Sequence, residues 1–427
     1  MAPTARSITA ETSGFVNEQV MLKNLLSLFM IQGAGYVLPL ITLPYLVRVL
    51  GPGEYGVLGF SLAFTQYFTL LVQYGFDLSA TNKIAIHKED KTLVSQMFWG
   101  VMLCKTVLVF LGILLMAVIL PLTPKLTGYY TAIIASYTSV IGTAYTPSWL
   151  FQGKEKMGWM AIANLSAKIV VIPFIFIFVT SSADTWLVAL LTGCGFILGA
   201  LLSFHRIRQE GWIEWSLPSR AQIKELIHDG RYIFISNIAG NLYVNSIPVF
   251  LGFATEPAIV GFYVAADRIR QAVQGLMGPV TTVFYPRISS LMSTDEKKGL
   301  RMIRRLLLGQ SAAALLAVLS LMILSHEIIN LLYGERYRQS ALILTLLAPL
   351  ILFISTSTVL GVQGMLIIGM RKHFSLILWS GAIFNTAIIF PLIRLAGGAG
   401  AAVSVLLTEA LVACLIASRT QFIWRRF

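Results

Sequence analysis

Apolar positions come in runs of about 20 residues, separated by short joins rich in polar residues, glycine and proline. A helix of that length crosses the roughly 30 Å hydrocarbon core of a bilayer. Twelve such runs are predicted, over 23–48, 56–81, 92–120, 128–151, 158–179, 186–205, 230–254, 258–283, 303–325, 340–366, 373–393 and 399–422. The joins include GPG at 51–53, PLTP at 121–124 and GGAG at 397–400. Pro39, Pro44, Pro173, Pro248, Pro279 and Pro349 fall inside runs and predict kinks, which membrane helices tolerate where neighbours satisfy the freed carbonyls. The first 20 residues are polar and lack the apolar stretch of a cleaved signal, so the first run is expected to act as an uncleaved insertion signal.

Only 12% of the 427 residues are charged, against about 25% in soluble domains. The expected fold class is an all-α polytopic membrane protein. Of the 32 Lys and Arg, 23 fall in segments placed inside when the N-terminus is cytoplasmic. Five, Arg48, Lys125, Arg336, Arg338 and Arg394, fall outside, and four lie within runs. This asymmetry predicts that both termini face the cytoplasm. It also accounts for the net charge of +13 as a matter of topology, so no nucleic-acid partner is expected. Cys104, Cys194 and Cys414 lie in apolar runs with no CxxC, and the five histidines show no HExxH, so neither a disulfide framework nor a metal site is expected.

Residues 206–229, RIRQEGWIEWSLPSRAQIKELIHD, form the one long polar connector. It divides the chain into a six-helix lobe over 1–205, a cytoplasmic interfacial linker over 206–229, and a second six-helix lobe over 230–427. A shift of 205 residues lays GVLGFSLAFTQ (56–66) on GFYVAADRIRQ (261–271), pairing Gly56 with Gly261 and Gln66 with Gln271. An even number of spans per half implies parallel repeats about an axis along the membrane normal, as in many transporters.

Counting about 15 Å inward along each run places Lys105, Lys168, Asp267, Arg268, Arg270 and Glu409 near mid-depth, with Asp77 nearer the cytoplasm. Six such charges would cost roughly 15–21 kcal/mol facing lipid, so they must face protein or a watery cavity. Tyr263, Asp267, Arg270, Gln271 and Gln274 share a helical arc of about 100°, and Arg268 lies about 60° beyond it. Four cations against two acids at this depth favour an anionic passenger, with Arg270 the expected cargo contact and Arg268 the structural or interlobe residue. Three alternatives stay open: Asp267 and Arg270 as a structural ion pair, Lys105 snorkelling to the interface, and Glu409 as a buried protonated acid.

PYLVRVLGPGEYG (44–56), YGFDLSATNKIA (74–85), WLFQGKEKM (149–157), EGWI (210–213) and GLMGPVTTVFYPRISS (275–290) resemble, in order, the O-antigen flippases of the Wzx type, in the polysaccharide transporter branch of the MOP superfamily. The resemblance implies a two-lobed, twelve-helix, MATE-like fold with a cationic central cavity. It implies transfer of undecaprenyl-pyrophosphate-linked O-antigen units across a bacterial inner membrane, among membrane lipids, and a complex with an O-antigen polymerase and chain-length regulator. Arg48 and Asp77 carry over from motif positions; Lys105, Lys168, Arg268 and Arg270 are nominated from depth and charge as the substrate-binding set. Tyr263, Gln271 and Gln274 would form a polar wall. No cofactor is expected beyond a coupling H+ or Na+, with Asp77, Asp267 and Glu409 as its candidates. Gly51, Pro52 and Gly53 are expected to shape a turn, and Lys154, Glu155 and Lys156 a solvated loop. Rival readings are a flippase for lipid II or another polyprenyl-linked glycan, a drug exporter with an acid-dominated cavity, and a polytopic enzyme. The last would need catalytic groups outside, where the longest predicted loop is about 14 residues (326–339).

Overall fold

The computed structural model describes the backbone of residues 5–244 and 246–421, and side chains at 35, 38–231, 233–235 and 246–421. It is built from α-helices, with no strand among the described residues. In the first half α1 (Ala5–Gln73), α2 (Phe76–Ile86), α3 (Lys91–Leu122), α4 (Tyr130–Tyr145), α5 (Ser148–Gly153), α6 (Met157–Phe178) and α7 (Thr185–Glu210) follow in order. The second half has α8 (Arg220–Val244), α9 (Ile247–Ala254), α10 (Pro257–Gly275), α11 (Gly278–Thr294), α12 (Glu296–Tyr333), α13 (Arg338–Leu347), α14 (Leu350–Thr358) and α15 (Arg371–Arg419), with a π-helix at Val359–Leu366.

Seven segments of the described residues are long and apolar enough to cross a membrane. Two of them, Leu38–Ile86 and Arg371–Arg419, are 49 residues long, enough for two crossings each. Both bend sharply. α1 breaks at Gly51 (φ 73°), a left-handed value that glycine adopts without strain, and Pro52 then opens the next helix. α15 breaks at Ala396 and Gly397, where the GGAG join begins.

Several predicted runs are broken where the sequence supplied the means. The run 128–151 divides at Pro147 into α4 and α5. The run 56–81 ends at Gln73, and Tyr74 (φ 43°) and Gly75 (φ 80°) turn the chain into α2, which carries Asp77. The run 258–283 divides between α10 and α11. Pro248 and Pro279 sit in first helical turns instead of kinking an interior, because proline lacks only a donor that a first turn leaves unbonded. The predicted loop 326–339 is largely the end of α12, followed by a 3₁₀ turn at Glu335–Tyr337.

The predicted outer joins gather at one end. There Thr185 donates to Glu54 Oε2 at 2.7 Å, Lys125 Nζ to the Phe253 carbonyl at 3.0 Å, and Arg48 Nη2 to the Leu331 carbonyl at 2.6 Å. The opposite, strongly basic end holds Lys83–Glu225 (2.5 Å), Lys83–Asp229 (2.7 Å), Lys91–Glu214 (2.7 Å) and Lys88–Glu155 (3.7 Å). Lys154 there donates to the Lys88 carbonyl, so the KEK loop ties two joins together. Between the ends, α3 and α12 turn side chains such as Phe110 (67% exposed) and Leu316 (67%) outward, as a lipid-facing surface requires.

The two halves meet most extensively where the part of α1 after Gly51 packs on α10. The contact is reciprocal: a Cβ at Gly56 would lie 1.8 Å from the Pro257 carbonyl oxygen, and one at Gly261 2.0 Å from that of Pro52. Pro52 and Pro257, like Gly56 and Gly261, are 205 positions apart. The two backbones therefore touch with no side chain between them, the close approach that small residues permit between membrane helices. Phe60, Leu58, Val264 and Ala265 carry this contact into the main apolar core.

Gly56→Ala and Gly261→Ala should each destabilise the protein by about 1–3 kcal/mol, as overpacking does, while Gly53→Ala, with open space around its Cβ, should not. Thermal unfolding in detergent measures all three. At the basic end, the side-chain bond from Lys83 holds the Asp229 carboxyl below the usual carboxylate range. Its stabilisation is therefore complete above the unfolded value of about 3.9 and is lost as pH falls through the lower folded value. Asp229→Asn should melt below wild type at pH 7, by under about 1 kcal/mol for so accessible a pair. The gap should close below about pH 3.9.

Candidate functional site

The charges predicted at mid-depth do not converge on one point; they separate into three groups. In the first half, Lys105 of α3 is 1% exposed and lies 3.5 Å from Asp77 Oδ1. Ser148 of α5 donates to the same carboxylate oxygen at 3.2 Å. The turn at Tyr74 and Gly75 brings Asp77 here, since it redirects the helix that would otherwise carry on along α1. Lys105 is thus enclosed and does not snorkel to the interface, and a nominated anion contact and a nominated ion-coupling acid answer each other.

In the second half, Arg270 Nε donates to Asp267 Oδ1 and Gln271 Nε2 to Asp267 Oδ2, each at 2.6 Å. The i,i+3 and i,i+4 spacings place these side chains on one helical face. Arg270 also interacts electrostatically with the buried Tyr263 and with Glu409 of α15. One turn further along, Gln274 Nε2 donates to Ser355 Oγ at 3.3 Å. The polar stripe read from the sequence is therefore one connected network, and its arginine is enclosed, with an 11% exposed side chain.

Arg268 reaches the other way. It is exposed and lies within electrostatic reach of Tyr55 on α1, of Tyr333 and of Lys168 on α6. Neither Lys168 nor Arg268 makes an ion pair among the described residues. Arg270 is the enclosed, paired arginine, and Arg268, expected as a structural or interlobe residue, is the accessible one and faces the other half. The 60° offset of Arg268 from the polar arc is the reason, because it turns the side chain out of the network and towards the other half. Arg48 stands apart from all three groups, at the end that carries few basic residues.

Sequence reasoning passed over several residues here. Tyr55 stands within GPGEYG, but as a phenol it carried no charge signal. Asn385 and Thr408, both fully buried, bond to each other at 3.0 Å on α15, beside Glu409 in sequence. The amide oxygens of Asn385, Gln310 and Gln363 are buried without a partner. Gln363, on the π-helix, donates to the Thr281 carbonyl at 2.7 Å, and π-helical turns frequently mark functional sites. Amide oxygens are among the donor types that hard cations take. Among the described residues no three His, Cys, Asp or Glu side chains cluster to hold a metal ion.

A polytopic helical bundle with enclosed charge networks in both halves has the architecture of MOP-superfamily transporters. The fold is similar to the lipid II flippase MurJ in an inward closed conformation (TM-score 0.72, 13% identity, covering 94% of this chain and 87% of that one). It is also similar to an inward-facing multidrug resistance MATE family transporter (TM-score 0.70, 14% identity, 91% and 96%), and less so to an outward-facing one (0.57, 13% identity, 94% and 96%). The chain belongs to the family of polysaccharide biosynthesis proteins, which matches residues 21–292. It is 34% identical over 400 residues to a protein named "Putative O-antigen transporter" from Escherichia coli (strain K12), covering 94% of this chain and 96% of the relative. A protein of the same name from Shigella dysenteriae is 29% identical over 394 residues, covering 92% and 98%.

Removing one partner of a buried ion pair strands the other, at about 3–5 kcal/mol. Asp77→Ala should therefore destabilise strongly, and Asp77→Ala combined with Lys105→Met should recover most of the loss. Thermal unfolding of the double-mutant cycle reports the difference.

Proposed function

We propose that this protein is a flippase that moves undecaprenyl-pyrophosphate-linked O-antigen repeat units from the cytoplasmic to the periplasmic leaflet by alternating access. The observation that carries this reading is the Lys168 and Arg268 pair, two cations from opposite halves within electrostatic reach and without an ion-pair partner among the described residues. A diphosphate answers both at once, and an arginine fork and a lysine point charge both suit phosphate oxygens. Family membership and the named O-antigen relatives support this cargo class. In this reading twelve helices form two lobes, residues 1–205 and 230–427, joined by the interfacial linker 206–229. The setting is the bacterial inner membrane, with both termini cytoplasmic and the O-antigen polymerase and chain-length regulator as partners.

The arrangement described here is then the inward-facing one. Support comes from the greater likeness to the inward-facing MATE structure than to the outward-facing one, and from the backbone contact and the two bonds from Arg48 and Lys125 that join the halves at the sparse end. An inside-negative potential drives a dianion outward by about 4–5 kcal/mol per 100 mV. Resetting is coupled to H+ or Na+, at Asp267 and Glu409, whose sequence neighbour Thr408 accepts from the Asn385 amide, or at Asp77. A flippase for another polyprenyl-linked glycan shares every step except sugar recognition. Against the drug-exporter reading stands the pairing of the acids: Asp77 and Asp267 are held by Lys105 and Arg270, which leaves the accessible charge positive.

Complementation of a deletion strain tests this. At equal expression, Arg268→Ala and Lys168→Ala should each lower surface polysaccharide at least about tenfold, the effect of losing roughly 1.4 kcal/mol of binding, while Arg268→Lys retains most of it. Polymer at wild-type level from Arg268→Ala would sink the reading.

A further inference from the structure

At the sparse end, α12, the 3₁₀ turn Glu335–Tyr337 and the first turns of α13 enclose a cavity of about 690 Å³. A second, of about 360 Å³, adjoins it and shares His326, Glu335 and Arg338. Their linings are graded. α12 runs towards this end and α13 away from it, so Met322 lies about 6 Å and Ile323 about 4–5 Å deeper than His326, and Leu342 about 6 Å deeper than Arg338. The deep wall carries Met322, Ile323 and Leu342, with Ile323 73% and Leu342 59% exposed, and its two hydroxyls, Ser325 and Thr345, bond to each other at 2.9 Å. The mouth is charged, with Arg336, Arg338, Glu335 and Glu327 all exposed.

These four charges share the two cavities, yet none forms a hydrogen bond or ion pair with another described residue. Of the other basic residues predicted at this end, Arg48 and Lys125 are engaged by carbonyl oxygens, and Arg394 lies outside both linings. The charges at the mouth balance, two positive against two negative. A polarity gradient along the membrane normal fits an amphiphile whose head points out and whose chain points in. Balanced, unpaired charges of both signs fit a zwitterionic head better than an anionic one, which would face two carboxylates with no countercharge of its own.

We propose that this groove is a binding site for a phospholipid with a primary-amine zwitterionic head, the ethanolamine type. Arg336 and Arg338 take the phosphate, Glu335 and Glu327 take the ammonium, and one acyl chain lies along Met322, Ile323 and Leu342. A choline head has the same net charge but no N–H to donate to the carboxylates, so it binds more weakly. The site is separate from the Lys168 and Arg268 pair and stands or falls independently of the cargo.

The test is native mass spectrometry of the full-length purified protein titrated with phosphatidylethanolamine, phosphatidylglycerol and phosphatidylcholine of matched chains. The ethanolamine lipid should bind at least about fivefold more tightly than the other two. Arg336→Ala with Arg338→Ala should abolish that preference, and Lys297→Ala with Lys298→Ala, at the opposite end, should keep it. Glu327→Gln with Glu335→Gln should shift the preference towards phosphatidylglycerol. Should the arginine variant fail to fold, Leu342→Trp, which fills the apolar wall and leaves the charges, decides in its place. Equal binding of the three lipids by wild type, or an ethanolamine preference surviving in the deciding variant, overturns the proposal.

Discussion

An ionised side chain within a bilayer must be answered by another group or by water, and the interior of this protein is organised by that requirement. Lys105 is enclosed only because Asp77 and Ser148 are brought to it, and Asp77 arrives there only because the chain turns at Tyr74 and Gly75. Arg270 is enclosed because Asp267 lies one turn before it, with Gln271 on the other carboxylate oxygen. Once these pairs form, Arg268 and Lys168 are the mid-depth cations left without a carboxylate. The candidate site is thus what remains after the structural pairs have been made.

A second constraint acts at the crossing of α1 and α10. Helices in lipid gain little from the hydrophobic effect on meeting one another, so association depends on close packing. The reciprocal approach of Gly56 to Pro257 and of Gly261 to Pro52 supplies it with no side chain that would need to repack. The same crossing brings Tyr55 of one half to Arg268 of the other. A contact that looks purely structural therefore fixes where the accessible arginine sits.

Much of the fold was legible in the sequence, because membrane helices announce themselves by length and polarity. The Gly51 break and the gathering of sparsely basic joins at one end followed from composition and punctuation, whereas of the polar stretch 206–229 the first residues end α7 and the last open α8. The internal breaks at Pro147, Tyr74 and Gly275 were less legible, since a continuous apolar run reads the same whether or not the helix bends within it. The shift of 205 residues was a weak signal in letters, yet it named the two glycines that touch. For the site, the helical arc grouped Tyr263, Asp267, Arg270, Gln271 and Gln274 correctly, because i,i+3 and i,i+4 neighbours are settled by local geometry alone. It could not say which groups Arg268 would meet across the halves, because Tyr55 and Lys168 are far away in sequence. Lys105 and Asp77, 28 positions apart on different helices, could not be paired by periodicity either.

The two cations that join the halves at the sparse end grip backbone carbonyls near the ends of helices, Arg48 at Leu331 and Lys125 at Phe253. A carbonyl has no proton to gain across the biological pH range, and its partial charge responds less to dissolved salt than a full carboxylate would. A clasp made this way is indifferent to the acidity of the solution that bathes it and only mildly sensitive to ionic strength. By contrast, the fastenings at the opposite end are carboxylate bonds, open to both influences.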